Sequence, residues 1–280
     1  MAEPDQPLAG YPPEEHVSRD LRVVFERVGD DRHLEVDIVP ELLTDCGTLD
    51  AGVAAVLIDM QAGGIALEAV APDWIVTSDM TVHLGRPIGL EPVVGRTRTL
   101  RVGKNNVVLE TSLYTDRDPS PAAIAQLGFT RILRRDDTPV IPLDGPARSS
   151  FAVEGSGFDR PVYERLGLRA LNEASGHLEL ALTDYQRNSI GAMQGGVVVA
   201  VATRAAQALG RETLGAPVVT TDFTAHYLAL ARPGPLRSTC QLVRADADAA
   251  VVRVELRDAG QDDRLCTLVT ATVRHFGVPG

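Results

Sequence analysis

The chain has few of the residues that define several common protein classes. It contains three cysteines, Cys46, Cys240 and Cys266, an odd number with no CxxC spacing. This pattern predicts neither a disulfide framework nor a structural zinc site, and we expect no metal and no redox cofactor. Because the sequence also lacks a recognisable secretion signal, we expect a protein of the reducing cytoplasm.

Positive charge is scarce as well. The chain carries 38 acidic residues against 27 basic ones, and only one of the basic residues, Lys104, is lysine. The formal net charge is -11 and the isoelectric point is about 5.0. This balance argues against a nucleic-acid partner and against binding to an anionic membrane surface. It does not exclude a phosphate-bearing substrate, because single arginines can bind phosphate locally.

Long apolar runs and nucleotide-binding motifs are also missing. The longest apolar stretch, residues 51–71, is interrupted by Asp59, Gln61 and Glu68. It therefore predicts a buried helix of a soluble protein rather than a membrane span. The sequence contains no P-loop, no GxGxxG and no GxSxG. Nucleotide hydrolases and serine hydrolases built on those motifs gain no support.

An internal repeat is the most informative positive feature. When His33 is placed over His177, the two segments match without gaps for about thirty residues at an offset of 144. Within this block Gly52 falls on Gly196. After the loss of one residue, residues 76–83 match residues 219–226 at an offset of 143. A period this long indicates duplicated domains, because solenoid repeats are much shorter.

Each half has the same predicted order of elements. A strand and an irregular loop precede a mostly apolar helix, over residues 51–70 in the first half and 195–209 in the second, where Gly210 is well placed to end it. Four strand-like runs follow in the second half, at about 217–228, 235–245, 249–258 and 264–276. One helix followed by four strands predicts an α+β fold with a long helix on an antiparallel sheet. We assign the domains to residues 20–135 and 161–277, joined by a linker at 136–160 that is rich in proline, glycine and charge.

The second half carries a motif known from one enzyme family. Asn188 leads through Gly191 to Gln194-Gly195-Gly196-Val197 at the start of a helix, and His226-Tyr227-Leu228 follows in a strand. This arrangement resembles the hotdog-fold thioesterases of the PaaI-like group, whose pattern is Asn, then His-Gly-Gly, then an acid nine positions after the His. The resemblance is clear over 161–277 and weaker over 20–135.

The resemblance implies two tandem hotdog domains that form an intrachain pseudo-dimer. It also implies hydrolysis of acyl-CoA thioesters, a place in fatty acid metabolism, coenzyme A as part of the substrate, and pairing of whole chains into a homo-oligomer. Hotdog proteins also include hydratases, dehydratases and non-catalytic members, so the fold alone does not fix the chemistry. A non-catalytic acyl-CoA-binding or assembly protein and a hydratase or dehydratase are therefore the alternatives.

The two halves depart from the family pattern in complementary ways. The second half has Gln194 in place of the usual His, and Thr203 stands nine residues later where the acid is expected. The first half has Asp50-Ala51-Gly52 in place of the Gly-Gly motif and Thr44 in place of the Asn, but it keeps the acid as Asp59. In the family, the acid and the Gly-Gly motif of one site come from different partners. We therefore predict one composite site made from Asp59, Asn188, Gln194 and Gly195, with a second pseudo-site that is inactive.

Asp59 is the predicted general base or nucleophile. No basic residue stands three or four positions away on its helix, and aspartate has poor propensity for the middle of a helix. An unpaired buried carboxylate is costly unless a site uses it. The alternative is that Asp59 occupies the one solvated face of the helix.

Gly195 and Gly196 open the second helix, where free N–H groups and the helix dipole favour a developing oxyanion. Tight packing of helix against sheet is the alternative reason for this glycine pair. The Gln194 amide can donate to a carbonyl oxygen but, unlike histidine, cannot carry a proton at neutral pH. Asn188 either orients water or the carboxylate, or caps its own loop.

The remaining candidates concern substrate binding. Thr77 and Ser78 open the strand that follows the Asp59 helix, and a hydroxyl there can assist the acid; the sequence does not choose between them. Arg232, like Arg86, precedes a proline and is a candidate for contact with CoA phosphates, unless it is an ordinary solvated turn residue. His83 and His226 are related by the repeat, and strand packing is favoured over metal binding because no second ligand stands at metal spacing.

Overall fold

The computed structural model describes residues 11–29, 31–134 and 146–277. The first part of the chain forms, in order, α1 (Val17–Asp20), β1 (Val24–Val28), β2 (Asp31–Asp37), α2 (Ala51–Val70), β3 (Trp74–Leu84), β4 (Pro92–Val102), β5 (Asn106–Thr115), β6 (Asp118–Ile132) and β7 (Arg148–Ser150). The second part forms α3 (Val162–Leu166), β8 (Leu168–Asn172), β9 (His177–Leu180), α4 (Gly195–Leu214), β10 (Val218–Tyr227), β11 (Leu236–Ala245), β12 (Ala249–Asp258) and β13 (Arg264–His275). Two short 3-10 turns, Pro40–Leu42 and Asp184–Gln186, precede the loops that lead into α2 and α4.

The two halves share one continuous antiparallel sheet. Its strand order is β7-β1-β2-β4-β5-β6-β3-β10-β13-β12-β11-β9-β8, so β3 and β10 join the halves. At this junction Thr81 pairs with Thr224, and their hydroxyl oxygens are 3.2 Å apart. These two threonines are repeat equivalents, so each half meets the matching element of the other, as at a twofold interface between identical subunits.

Both long helices lie on the same side of the junction and pack against each other at two glycines. A Cβ added to Gly52 would lie 2.5 Å from the Cα of Ala200, and one added to Gly196 would lie 2.5 Å from the Cα of Val56. Gly52 and Gly196 are repeat equivalents, and so are Val56 and Ala200. The close approach of α2 and α4 therefore requires glycine at both positions.

Helix α2 is apolar over most of its surface, with Asp59, Gln61 and Glu68 as its polar positions. By length and composition it is long and apolar enough to cross a membrane, but it is packed between the sheet and α4, and 56% of its most apolar window is buried. Leu57 and Ile58 are fully buried there with Leu109 and Leu127 of the sheet. Burial of each such side chain stabilises the fold by about 1.5–3 kcal/mol. Helix α2 is thus the core helix of the first half.

The predicted α+β fold of two tandem hotdog domains is confirmed. The predicted helix at 51–70 coincides with α2, and the four predicted strands of the second half correspond to β10–β13. The predicted helix end at Gly210 is wrong, because α4 continues to Leu214 and ends at Gly215, whose φ is +64°. Gly210 is instead buried against Val273 of β13, where any side chain would overlap with the valine.

The predicted domain limits leave out two segments that take part in the fold. Residues 146–160 of the predicted linker include β7, which pairs with β1, while residues 136–145 lie outside the described residues. Before residue 20, the ring of His16 donates from Nε2 to the Arg187 carbonyl of the second half at 2.8 Å. The N-terminal segment is therefore bound to the second half as well as to the first.

Candidate active site

The carboxylate of Asp59 projects from α2 onto the first turn of α4. Its Oδ2 accepts a hydrogen bond from the Gly196 backbone N–H at 3.0 Å, and its Oδ1 accepts one from the Thr77 hydroxyl at 2.9 Å. Helix α4 has no side-chain cap of its own, because Gln194 at the N-cap position makes no capping bond. An acid from one half therefore caps the helix of the other half.

The environment of Asp59 changes its acidity. Burial raises the pKa of the carboxyl above its ordinary value of 3.8, and the hydrogen bonds from Thr77 and Gly196 offset part of this rise. The side chain is enclosed by protein but keeps partial access to a cavity that it lines. A carboxylate with a raised pKa beside a cavity is a better proton acceptor than an exposed one, and such groups cluster at functional sites.

The cavity lies between the two halves and has a volume of about 510 Å³. Its polar wall includes Asp59, Thr77 and the start of α4 at Gln194 and Gly195. Its apolar wall includes Met60, Leu67, Trp74, Phe129, Phe151 and Leu230. The volume and the mixture of an apolar wall with a few convergent polar groups are typical of small-molecule sites.

The two glycines at the start of α4 have different tasks. Gly196 packs against α2, which agrees with the packing alternative for this pair. Gly195 lines the cavity, and a Cβ there would lie 2.9 Å from the Thr77 hydroxyl oxygen and 3.0 Å from Asp59 Oδ2. Within the described residues, the first-turn N–H of Gly195 has no hydrogen-bond acceptor. Gly195 thus leaves the acid in place and presents a free backbone donor at the helix N-terminus.

Gln194 lines the cavity but its amide is engaged by the protein. Its Nε2 donates to the Tyr11 hydroxyl at 3.1 Å and to Ser18 Oγ at 3.0 Å. Both amide hydrogens are used in this way, which differs from the predicted direct bond to a substrate carbonyl. Gln194 therefore lies at the site, where its amide holds two hydroxyl groups of the N-terminal segment.

The other predicted residues divide between the cavity and its surroundings. Asn188 borders the cavity, but its Oδ1 accepts the N–H groups of Ile190 and Ala192, as expected for a loop cap. Ser78 also borders the cavity, and its hydroxyl donates to Asp79 at 2.8 Å. Of the two hydroxyls that the sequence left open, only that of Thr77 contacts the acid.

Two further predictions concern surface residues. Arg232 is exposed and does not line the cavity, although it directly follows Ala231, which does. His83 and His226 are exposed on β3 and β10. Across residues 11–29, 31–134 and 146–277, no cluster of three or more His, Cys, Asp or Glu side chains could hold a metal ion.

In the part of the chain that the structure describes, the position related to this site by the pseudo-twofold axis has no acid from the opposite half at its helix N-terminus. Asp50 caps its own helix α2 by accepting from Gly52 at 2.8 Å, and the Tyr163 hydroxyl donates to it at 2.5 Å. Thr203, at the position of the acid, is fully buried and donates to the Ala200 carbonyl of its own helix. One helix N-terminus is thus capped from within its own half, and the other is capped by the acid of the opposite half.

A second, smaller cavity of about 210 Å³ remains on this side. Thr220, the repeat equivalent of Thr77, lines it, and its hydroxyl accepts from the Gln207 amide at 3.2 Å. Thr44 and Arg86 line it as well, whereas Thr203 does not. No carboxylate lines this cavity among the described residues. The pairing of acid, threonine and helix N-terminus therefore occurs once.

Sequence reasoning missed three hydroxyl groups that bond to the start of α4, those of Tyr11, Ser18 and Tyr227. Tyr11 and Ser18 lie before the predicted first domain, and no motif marks them. Tyr227 follows His226 in the quoted motif, but its hydroxyl role depends on the fold, because it donates to the Gly195 carbonyl at 2.8 Å. Burial raises the pKa of Tyr227 well above its ordinary value, and the charge of Asp59 adds to this rise. Only the packing of both halves brings these three hydroxyls to one cavity.

Comparisons with known proteins agree with this architecture. The family described as "Acyl-CoA thioesterase N-terminal domain" matches residues 184–274. No curated protein matches the chain in sequence. An acyl-ACP thioesterase from Bacteroides thetaiotaomicron is similar in structure, with a TM-score of 0.58, 14% identity, and coverage of 86% of this chain and 96% of the other.

Two further solved structures extend the likeness. The tesB protein of Mycobacterium avium subs paratuberculosis has a TM-score of 0.58 at 14% identity, with 90% of this chain and 96% of the other covered. A hot dog fold protein from Alicyclobacillus acidocaldarius has a TM-score of 0.57 at 14% identity, with 94% and 99% covered. The fold and the repeat together identify the chain as a tandem hotdog protein, and residues 184–274 of its second half match the acyl-CoA thioesterase family model.

Proposed function

We propose that the chain hydrolyses acyl-CoA thioesters at one composite site between its two hotdog halves. One observation carries the proposal: the Asp59 carboxylate of one half lies against the first turn of the α4 helix of the other, beside Thr77 and an apolar cavity. The family match over residues 184–274 supports the substrate class. The charged acid, the helix N-terminus and the cavity are the three parts that acyl transfer to water requires.

In the proposed reaction, Asp59 acts as a general base. It takes a proton from a water molecule, whose oxygen attacks the thioester carbon while the carbonyl electron pair moves to the oxygen. The free N–H of Gly195 and the dipole of α4 stabilise this negative oxygen. When the intermediate collapses, the C–S bond breaks, and the leaving thiolate receives the proton from Asp59. The products are a carboxylic acid and free coenzyme A, and the carboxylate is regenerated.

The choice of base over nucleophile rests on the hydrogen bonds of Asp59. Each carboxylate oxygen already accepts one hydrogen bond, from Thr77 or Gly196, and one of these bonds would be lost or weakened if that oxygen formed a covalent bond to the acyl carbon. Reaction in ¹⁸O-water tests this choice. We expect no label in the Asp59 side chain after turnover, and a labelled Asp59 would show that the carboxylate forms a covalent acyl intermediate.

The walls of the cavity indicate how the substrate lies. Its apolar side, with Met60, Trp74 and Phe129, suits an acyl chain. Arg232 is exposed one residue after the cavity wall, and we propose that it contacts the phosphates of coenzyme A outside. We also propose that whole chains associate into a homo-oligomer, and that the protein acts in the cytoplasm. Light scattering of the purified protein measures its mass in solution and so checks the association.

Turnover of a panel of acyl-CoAs, followed by detection of free thiol, tests the function. We expect release of coenzyme A at a rate that depends on the acyl chain. Calorimetry with a non-hydrolysable thioether analogue of the substrate should give about one bound ligand per chain. Binding of the analogue without turnover of any acyl-CoA would contradict hydrolysis and favour the non-catalytic alternative.

A further inference from the structure

A tyrosine from the N-terminal segment faces the proposed site with an unused hydrogen. The Tyr11 hydroxyl accepts a hydrogen bond from the Gln194 amide at 3.1 Å, and Ser18 is hydrogen-bonded to the same amide at 3.0 Å. Among the described residues, the hydroxyl of Tyr11 is hydrogen-bonded to the Gln194 amide and to Ser18; both contacts lower its pKa, as donors to the phenol oxygen do, and its own hydrogen remains available. Tyr227, the other tyrosine of the cavity, differs because its hydrogen is donated to the Gly195 carbonyl. Tyr11 is therefore the cavity tyrosine that has a donor to offer.

The surroundings keep Tyr11 in its phenol form. Burial raises the pKa of Tyr11, and the negative charge of Asp59 adds to this rise. The hydrogen bonds from Gln194 and Ser18 act in the opposite direction and only partly offset it. Tyr11 and Asp59 both line the cavity. At neutral pH, Tyr11 is therefore a neutral phenol on the wall of the cavity that Asp59 also lines.

The segment that carries Tyr11 is fixed in place. The guanidinium of Arg19 donates to the Pro12 carbonyl at 2.6 Å, to the Pro13 carbonyl at 2.7 Å and to the Phe151 carbonyl at 2.7 Å. The buried His16 ring packs edge-on against Tyr11, with the ring centroids 5.3 Å apart. A donor held in this way costs little reorganisation during the reaction, which is the condition for effective oxyanion stabilisation.

We propose that the Tyr11 hydroxyl donates its hydrogen bond to the carbonyl oxygen of the thioester and stabilises the oxyanion that forms there. This inference rests on the proposed function and deepens it. Gln194 acts through Tyr11 as a positioning residue, because its amide holds the phenol oxygen and leaves the hydrogen directed away from it. No proton is transferred by Tyr11; the hydrogen bond strengthens as charge moves onto the carbonyl oxygen and weakens again when the C–S bond breaks.

The first test is Tyr11→Phe, with Tyr163→Phe as the matched control. Both changes remove one buried phenol oxygen, but Tyr163 bonds to Asp50 on the opposite side of the pseudo-twofold. Loss of one oxyanion donor reduces kcat by about 10²–10³-fold. We expect a loss of that size for Tyr11→Phe at a melting temperature like that of the control, and a kcat near the native value for Tyr163→Phe.

The second test needs no turnover. A ketone analogue, with CH₂ in place of sulfur, keeps the carbonyl, whereas a thioether analogue lacks it. Tyr11→Phe should raise the Kd of the ketone analogue about tenfold and leave the Kd of the thioether analogue unchanged. For Gln194, a double-mutant cycle applies: Gln194→Leu should lower kcat in the native background and have little effect in Tyr11→Phe.

The outcomes separate this inference from the proposed function. If the native protein turns over acyl-CoA and Tyr11→Phe keeps kcat within threefold, the role of Tyr11 is wrong, while the proposed hydrolase function stands. An equal rise of the Kd values of the two analogues would show that Tyr11 only lines the cavity and does not contact the carbonyl. Absence of native turnover would refute the proposed function, while a Tyr11-dependent preference for the ketone would still support the carbonyl contact. Failure of both analogues to bind the native protein would overturn the contact as well.

Discussion

Replacement of Asp59 by asparagine removes the proposed base while it keeps the shape of the side chain. The native carboxylate accepts from Thr77 at 2.9 Å and from Gly196 at 3.0 Å. Asparagine can keep both contacts, because its amide oxygen accepts from Gly196 and its amide nitrogen donates to the Thr77 oxygen once that hydroxyl turns. The substitution therefore changes charge and basicity and leaves the packing of the two helices in place.

The expected effects follow from these contacts. A positioned general base contributes about 10²–10⁴-fold to the rate, so kcat should fall by that factor. Hydrogen bonds to a charged group stabilise the fold by roughly 1 kcal/mol more than bonds to a neutral group, and the variant loses this difference. The native chain, in contrast, buries a carboxylate, and this burial raises the pKa of Asp59 and costs stability at neutral pH. The variant avoids this cost. Since the two effects oppose each other, the free energy of unfolding should change by less than about 2 kcal/mol.

Two measurements test this reasoning. Release of free coenzyme A at saturating acyl-CoA gives kcat, and urea unfolding gives the stability. The native rate should fall as pH decreases through the pKa of Asp59, which lies above the ordinary 3.8. The residual rate of the variant should lack this acidic limb. A variant that unfolds like the native chain and keeps kcat within tenfold, with the same limb, would refute Asp59 as the base.

Three further predictions concern neighbours of the site. Thr77→Val should move the acidic limb of kcat/KM to higher pH, because the Thr77 hydroxyl lowers the pKa of Asp59; an unmoved limb would contradict this contact. Thr203→Ala should leave kcat within twofold and cost about 1 kcal/mol of stability. A fall in kcat as large as that of Asp59→Asn would show that the active half was assigned wrongly. Burial lowers the pKa of His16 below 6.5, so the unfolded chain binds its proton first and stability should fall as pH drops from 6.5 towards that pKa. His16→Gln should weaken this pH dependence in urea unfolding at pH 7.5 and 5.5, and an unchanged dependence would exclude His16 as its source.

The sequence by itself determined the architecture and the position of the acid. The repeat at offsets of 144 and 143 residues, the glycine pair and the order of helix-like and strand-like runs are properties of the sequence itself, so they can be read without coordinates. The complementary losses in the two halves placed Asp59 opposite Gly195 because equivalent positions in a duplicated fold meet across its pseudo-twofold. The same reasoning predicted the helix at 51–70 and the four strands of the second half.

Only the tertiary structure decided which side chains meet at the site and what they do. Gly210 has the local character of a helix end, but the approach of β13 at Val273 gives it a place inside α4. Gln194 binds Tyr11 and Ser18, which lie 183 and 176 residues away in the chain. No local pattern encodes contacts over such distances. They arise because the N-terminal segment and the second half pack around one cavity, where burial raises the pKa of Asp59 and of Tyr11 and hydrogen bonds offset part of the rise.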